Sequence, residues 1–129
     1  MSYKKLLVIF LWLITIHSIC VGLAMTILPT DWISYFGIAP SEHRFFITQG
    51  GVFHIVMAVA YGMAAYNIEQ NTVLVRFSII VKFLATTFLL SYFLFVNQFT
   101  FVLLSAIPDF GMALILLFLF RKYYIESNS

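Results

Sequence analysis

Four apolar stretches take up nearly all of this 129-residue chain: 6–28, 45–66, 73–96 and 99–120. Each exceeds the roughly 18 residues at which a spanning helix becomes the preferred reading, since ~20 residues at a rise of ~1.5 Å cover a hydrocarbon core of ~30 Å. What remains is a short N-terminal tail, a loop from Pro29 to Arg44, two turns and the tail after Arg121. No soluble catalytic domain fits into those pieces. The expected architecture is all-α, a single integral membrane domain built as an up-down bundle of four transmembrane helices.

Composition agrees with that reading and excludes others. The chain is 63% hydrophobic and 9% charged, against roughly 25% charged in a soluble domain. Its net charge of +2 is carried by scattered residues with no basic face, so nucleic acid is not a partner. Lys4 and Lys5 precede the first apolar run as they would in a secretory signal. That run is about twice the usual core of such signals, and no small-residue cleavage site follows it, so it stays as a helix. Cys20 is the only cysteine; without an internal disulfide or a Cys-x-x-Cys pair, a thiol–disulfide exchange enzyme is disfavoured.

Placing the N-terminus inside puts Lys4, Lys5, Arg76, Arg121 and Lys122 at the cytoplasmic helix ends and leaves Arg44 at an outer end. The positive-inside rule then gives both termini to the cytoplasm. Asn97 and Gln98 are nearly the whole link between the last two helices, which makes them an antiparallel hairpin. Ser41, with Glu42 beside it, reads as the cap of the second helix. Gly50, His54, Ala58 and Gly62 recur every four residues, as do Ser105, Asp109 and Ala113, and such stripes let helices approach closely in lipid. Tyr61, Tyr66, Tyr92, Tyr123 and Tyr124 read as interface anchors.

Each apolar segment carries one ionisable residue near its middle: His17, His54, Lys82 and Asp109. By the rise per residue, His17 and Lys82 lie about 16 and 13 Å from the inner boundary, and His54 and Asp109 about 13 and 15 Å from the outer one. Groups of this kind are expensive within a membrane and mark candidate sites. Their shared depth suggests one polar centre. Lys82 and Asp109 suit an ion pair across the hairpin, either as a structural clasp or as part of a working site. Pro108 frees a backbone carbonyl near Leu104, beside the acid, which either bends the helix or helps to build a pocket. Two histidines could ligate a haem iron, or a metal together with Asp109, but no ligand spacing supports this and no metal is expected. Gln49, next to Gly50 and Gly51, opens a polar approach to His54, with Arg44 and His43 at its entrance; alternatively Arg44 snorkels to the interface, as Arg76 does on the other side.

In outline the chain resembles the small four-helix DoxX-like membrane proteins. The resemblance rests on a proline-containing outer loop after the first helix, Arg44 leading into the Gly50-Gly51 helix, a lone Lys82 in the third helix and Asp109 in the fourth. It implies an up-down bundle and a bacterial inner-membrane setting. The family is functionally mixed, with some members tied to quinone-linked sulfur oxidation or redox homeostasis. Arg44, Lys82 and Asp109 match its polar landmarks, whereas His17 and His54 stand outside the pattern.

The function expected from these residues is non-enzymatic or accessory: a membrane protein whose polar centre binds a small lipophilic ligand, such as a quinone or a lipid, or supports a partner complex. Ligand-binding candidates are His17, Gln49, His54, Lys82 and Asp109, with Arg44 at the entrance. A second reading is a proton-coupled transporter or channel element formed by a homo-oligomer, since four helices enclose too little space for most solutes. A third is a redox-accessory subunit linked to quinone. A membrane-embedded enzyme using a histidine as acid–base group lacks the repeated acids that such chemistry needs.

Overall fold

Inside a bilayer the backbone finds no water, so long apolar segments satisfy their amides internally, as helices. The computed structural model describes residues 1–35, 44–98 and 100–128. It contains α1 (Tyr3–Ile27), a short α2 (Thr30–Ser34), α3 (Phe45–Tyr66), α4 (Thr72–Phe95) and α5 (Thr100–Ser127). The four long helices all have the length and apolarity of membrane spans. They form a four-membered ring in which α1 packs most closely on α3 and α4 on α5, while α1–α5 and α3–α4 complete the circuit. Outward-facing Ile9, Leu13, Val56, Val59, Ile80, Leu84, Phe88 and Ile107 remain exposed. A surface this apolar suits lipid rather than water.

The helix ends have local causes. Pro29 disfavours the α conformation in the residue before it, and Leu28 is extended, with φ −61° and ψ 138°. The uncapped carbonyls of α1 are taken up by Arg44, whose Nη2 donates to the oxygens of Thr26 (3.0 Å) and Leu28 (2.5 Å). At the α3–α4 turn, Asn67 Oδ1 accepts from the Gln70 amide and Asn71 Nδ2 donates to Met63 O, while Ile68 folds inward and is buried. The proposed cap at Ser41 and Glu42, and His43 at the entrance, lie outside the described residues.

Two elements differ from the sequence expectation. α5 continues past the apolar run to Ser127, because polar residues after Phe120 do not oppose a helix once it leaves lipid. Its last turn returns to the bundle, where Glu126 accepts a hydrogen bond from the first-turn amide of Tyr3 in α1 (3.2 Å). The segment after α1 opens with the short α2, whose Trp32 is exposed, and Tyr35 just beyond it is exposed too.

Close packing of α1 on α3 depends on two glycines. A Cβ on Gly22 would come within 2.6 Å of Gly51 O, and one on Gly51 within 2.7 Å of Gly22 O. The sequence stripe ran through Gly50 instead. Four residues advance an α-helix by about 400°, so an every-fourth stripe drifts by about 40° per step. The contact line follows Gly51, Ala58 and Ala65, all buried, whereas Gly50 and His54 line a cavity beside it. The dry core fills the half of the bundle near the termini, with Leu7, Leu11, Ile14, Tyr61, Val75, Ile79, Leu116 and Leu119.

Candidate functional site

Just beyond that core, Lys82 of α4 places Nζ 2.5 Å from Oδ1 of Asp109 on α5; the two side chains are 4% and 14% exposed. The Tyr61 ring of α3 lies 5.6 Å from the same ammonium. Tyr61 is therefore a buried wall of the polar centre rather than an interface anchor, since its small neighbours Ala58, Ala64 and Ala65 let the ring turn inward. Above and below Lys82 the stripe continues through Ser78 and Thr86, both buried, whose hydroxyls donate to Leu74 O and Lys82 O. On this buried stripe of α4 the polar group left to satisfy is the ammonium, and Asp109 meets it. Single unpaired charges at such a depth cost about 2.5–3.5 kcal/mol on insertion scales.

A cavity of about 200 Å³ opens beside the pair. α3 supplies most of one wall, with Gly50, Phe53, His54, Met57 and Tyr61, and α4 the other, with Val81, Lys82 and Ala85. α1 adds Ser18 and Met25, and α5 adds Asp109. Since α3 and α4 are the least intimately packed neighbours of the ring, and Phe53 at the cavity wall is 61% exposed, the cavity communicates with the lipid side of that seam. Its lining is mostly apolar, with polar groups converging from four helices.

Ser18 is the residue that sequence reasoning missed. Its side chain is 1% exposed, yet Oγ has no hydrogen-bond partner among the described residues. Helical hydroxyls in lipid usually bond the carbonyl four residues back. Thr15, Thr26, Ser78, Thr86 and Ser105 all do so here. Ser18 does not, and it lines the cavity. Only helical phase could have singled it out: the buried residues of α1 run Leu7, Leu11, Ile14, Thr15, Ser18 and Gly22.

The same phase removes two candidates from the cavity. His17, about 100° around the helix from Ser18, is exposed on the surface of α1 together with Cys20. Gln49, one residue from the lining Gly50, is exposed on α3. The structure therefore brings together His54, Lys82 and Asp109 and leaves His17 and Gln49 outside. Arg44 does not line this cavity; it caps α1. Pro108 is exposed on the face of α5 turned away from the core, and the helix runs through it.

Chemically the centre offers an ammonium and a carboxylate that neutralise each other, an imidazole, a phenol and an unsatisfied hydroxyl. Such a set can orient a hydrogen-bonding group. Among the described residues no cluster of three or more His, Cys, Asp or Glu side chains could hold a metal ion. Searches of family models, curated proteins and solved structures returned no match.

Proposed function

We propose that this small membrane protein is a non-enzymatic binder of a lipophilic molecule, whose polar head is held at mid-depth between α3 and α4. The observation that carries this reading is the buried, unpartnered Ser18 hydroxyl in the wall of a cavity that also contains the Lys82–Asp109 pair. An unmade hydrogen bond in a low-dielectric site costs about 1–3 kcal/mol. A ligand oxygen at this position would recover it. The cavity is smaller than the roughly 300–1,000 Å³ of pockets that enclose drug-sized molecules, so it takes a headgroup and leaves the hydrocarbon part among the lipids.

The charges favour an uncharged headgroup. Lys82 and Asp109 already satisfy each other, so an anionic head would displace the carboxylate and a cationic one the ammonium. A carbonyl or hydroxyl oxygen needs neither exchange. His54 and Tyr61, in the opposite wall, add donors and acceptors on that side.

The DoxX-like resemblance remains part of the proposal. Its landmarks Lys82 and Asp109 form the ion pair and Arg44 the helix cap. The proposed setting is a bacterial inner membrane with both termini cytoplasmic. In its support, the end of the bundle bearing the termini carries Lys4, Lys5, Arg76, Arg121 and Lys122 against Glu69 and Glu126.

The test is native mass spectrometry of the full chain in mild detergent, with hexadecanol, hexadecanoate and hexadecylamine as probes. One hexadecanol per chain, retained about tenfold better than either charged analogue, is the expected result. Equal retention of the charged probes would overturn the headgroup assignment. Retention of none of the three would overturn the binding function.

A further inference from the structure

We propose a second lipid site, distinct from the midplane cavity: a groove between α4 and α5, at the end of the bundle nearest the termini, that holds the phosphodiester of an anionic phospholipid. The groove has a volume of about 470 Å³ and is lined by Arg76, Phe120, Arg121, Tyr124 and Ile125. Two guanidinium groups from different helices thus share one concavity. Neither has a carboxylate partner among the described residues.

Depth and charge both fit a headgroup. Arg76 stands four residues into α4, about 6 Å along the axis, and Arg121 follows directly on the apolar run that ends at Phe120. Both therefore sit where hydrocarbon gives way to phosphate. The acids at this end are engaged elsewhere: Glu69 pairs with Lys4, and Glu126 accepts from the Tyr3 amide. Neither lines the groove. Its remaining charge is uniformly positive.

The walls explain why the occupant is a lipid and not a free anion. The Arg76 guanidinium lies 5.9 Å from the centre of the Phe120 ring, an arrangement that orients its donors while the ring covers one face. Ile125 and Tyr124 extend the apolar side. A neighbouring groove of about 350 Å³ shares Arg121 and Ile125 and continues along α5 past Leu114, Leu117 and Phe118. An acyl chain can lie against those side chains while the phosphate stays between the arginines. Arginine forks meet phosphate oxygens two at a time, which gives a geometric preference beyond simple charge.

The experiment uses the full chain in mild detergent with phosphatidylglycerol and phosphatidylcholine of identical acyl chains, read by native mass spectrometry. Phosphatidylglycerol is expected to be retained about tenfold better, and Arg76→Gln or Arg121→Gln should each remove most of that preference, since a basic residue near a phosphate surface contributes about fivefold. Lys5→Gln removes the same charge from the same end, outside the groove, and should leave the preference intact. Equal losses in all three variants would mean diffuse attraction and would overturn the site. So would release of the lipid by millimolar inorganic phosphate, which would identify a free-anion site. Arg76→Lys and Arg121→Lys, which keep the charge and disturb folding least, should lower the preference more than Lys5→Gln does; preference undiminished in both would also overturn the proposal.

Discussion

Lys82 and Asp109 face each other across the α4–α5 hairpin with 2.5 Å between Nζ and Oδ1, and the ring of Tyr61 lies 5.6 Å from the same ammonium. The contact joins residues 27 positions apart in sequence. It therefore fixes the register of two helices whose apolar surfaces alone would allow sliding. The pair also places a neutral, strongly polar surface on the wall of a cavity that is otherwise largely hydrocarbon.

Removing one partner leaves the other charge buried. Lys82→Met and Asp109→Leu are each expected to destabilise the protein by about 3–5 kcal/mol, whereas the double variant should recover most of that loss. Reversible unfolding in mixed micelles would measure all three. Additive losses would show that the two side chains do not act as a pair. A double variant that is stable and still retains hexadecanol would make the pair a clasp with no part in binding.

The glycine crossing between α1 and α3 yields a contrast within one residue type. Gly51→Ala puts a Cβ about 2.7 Å from Gly22 O and closer still to Thr26 Oγ1, so the backbones must separate; a cost of about 1–3 kcal/mol is expected. Gly111 has no neighbour within 4 Å of the added carbon. Gly111→Ala should therefore be neutral or stabilising by up to about 1 kcal/mol. Thermal unfolding of the two variants in the same detergent checks the order. A greater loss at Gly111 would contradict the packing described here.

Much of this was legible in the amino-acid order. Hydrophobic length alone sets the four spans to within a few residues at every end but the last, where α5 runs on to Ser127, and the cost of a lone intramembrane charge pairs Lys82 with Asp109. Helical phase was harder to read. When nearly every residue is apolar, the contrast that distinguishes an inner from an outer face disappears, and single-residue steps of about 100° decide burial. Hence His17 was favoured where Ser18 is buried, and Gly50 where Gly51 makes the crossing. Tyr61 was misjudged for the same reason: aromatic rings suit the interface by composition, and only its alanine neighbours show that this one turns inward.

Arg44, at the start of α3, secures the end of α1. Its guanidinium satisfies two carbonyls that the helix terminus leaves open, and hydrogen bonds to a charged group are worth about 1.5–3 kcal/mol when buried. At its half-buried position, Arg44→Gln should lower stability by about 1–2 kcal/mol. The local signature is faster amide exchange at Leu28, whose N–H closes the last turn on Ala24 O. Unchanged exchange there would mean that the cap does not hold the turn.

Ser18→Ala should move two measurements in opposite directions. In the empty protein the hydroxyl is buried without a partner, so its removal is expected to raise stability by up to about 1 kcal/mol. With hexadecanol present, the same substitution deletes the group that meets the headgroup, and retention should fall about tenfold. Thr86→Val serves as the control, because Thr86 Oγ1 already donates to Lys82 O and does not line the cavity. That change should cost stability and leave retention unaltered. If Ser18→Ala destabilised the empty protein to the same degree as Thr86→Val, the hydroxyl would have to be satisfied by the fold itself, and the argument for a ligand at this position would fail.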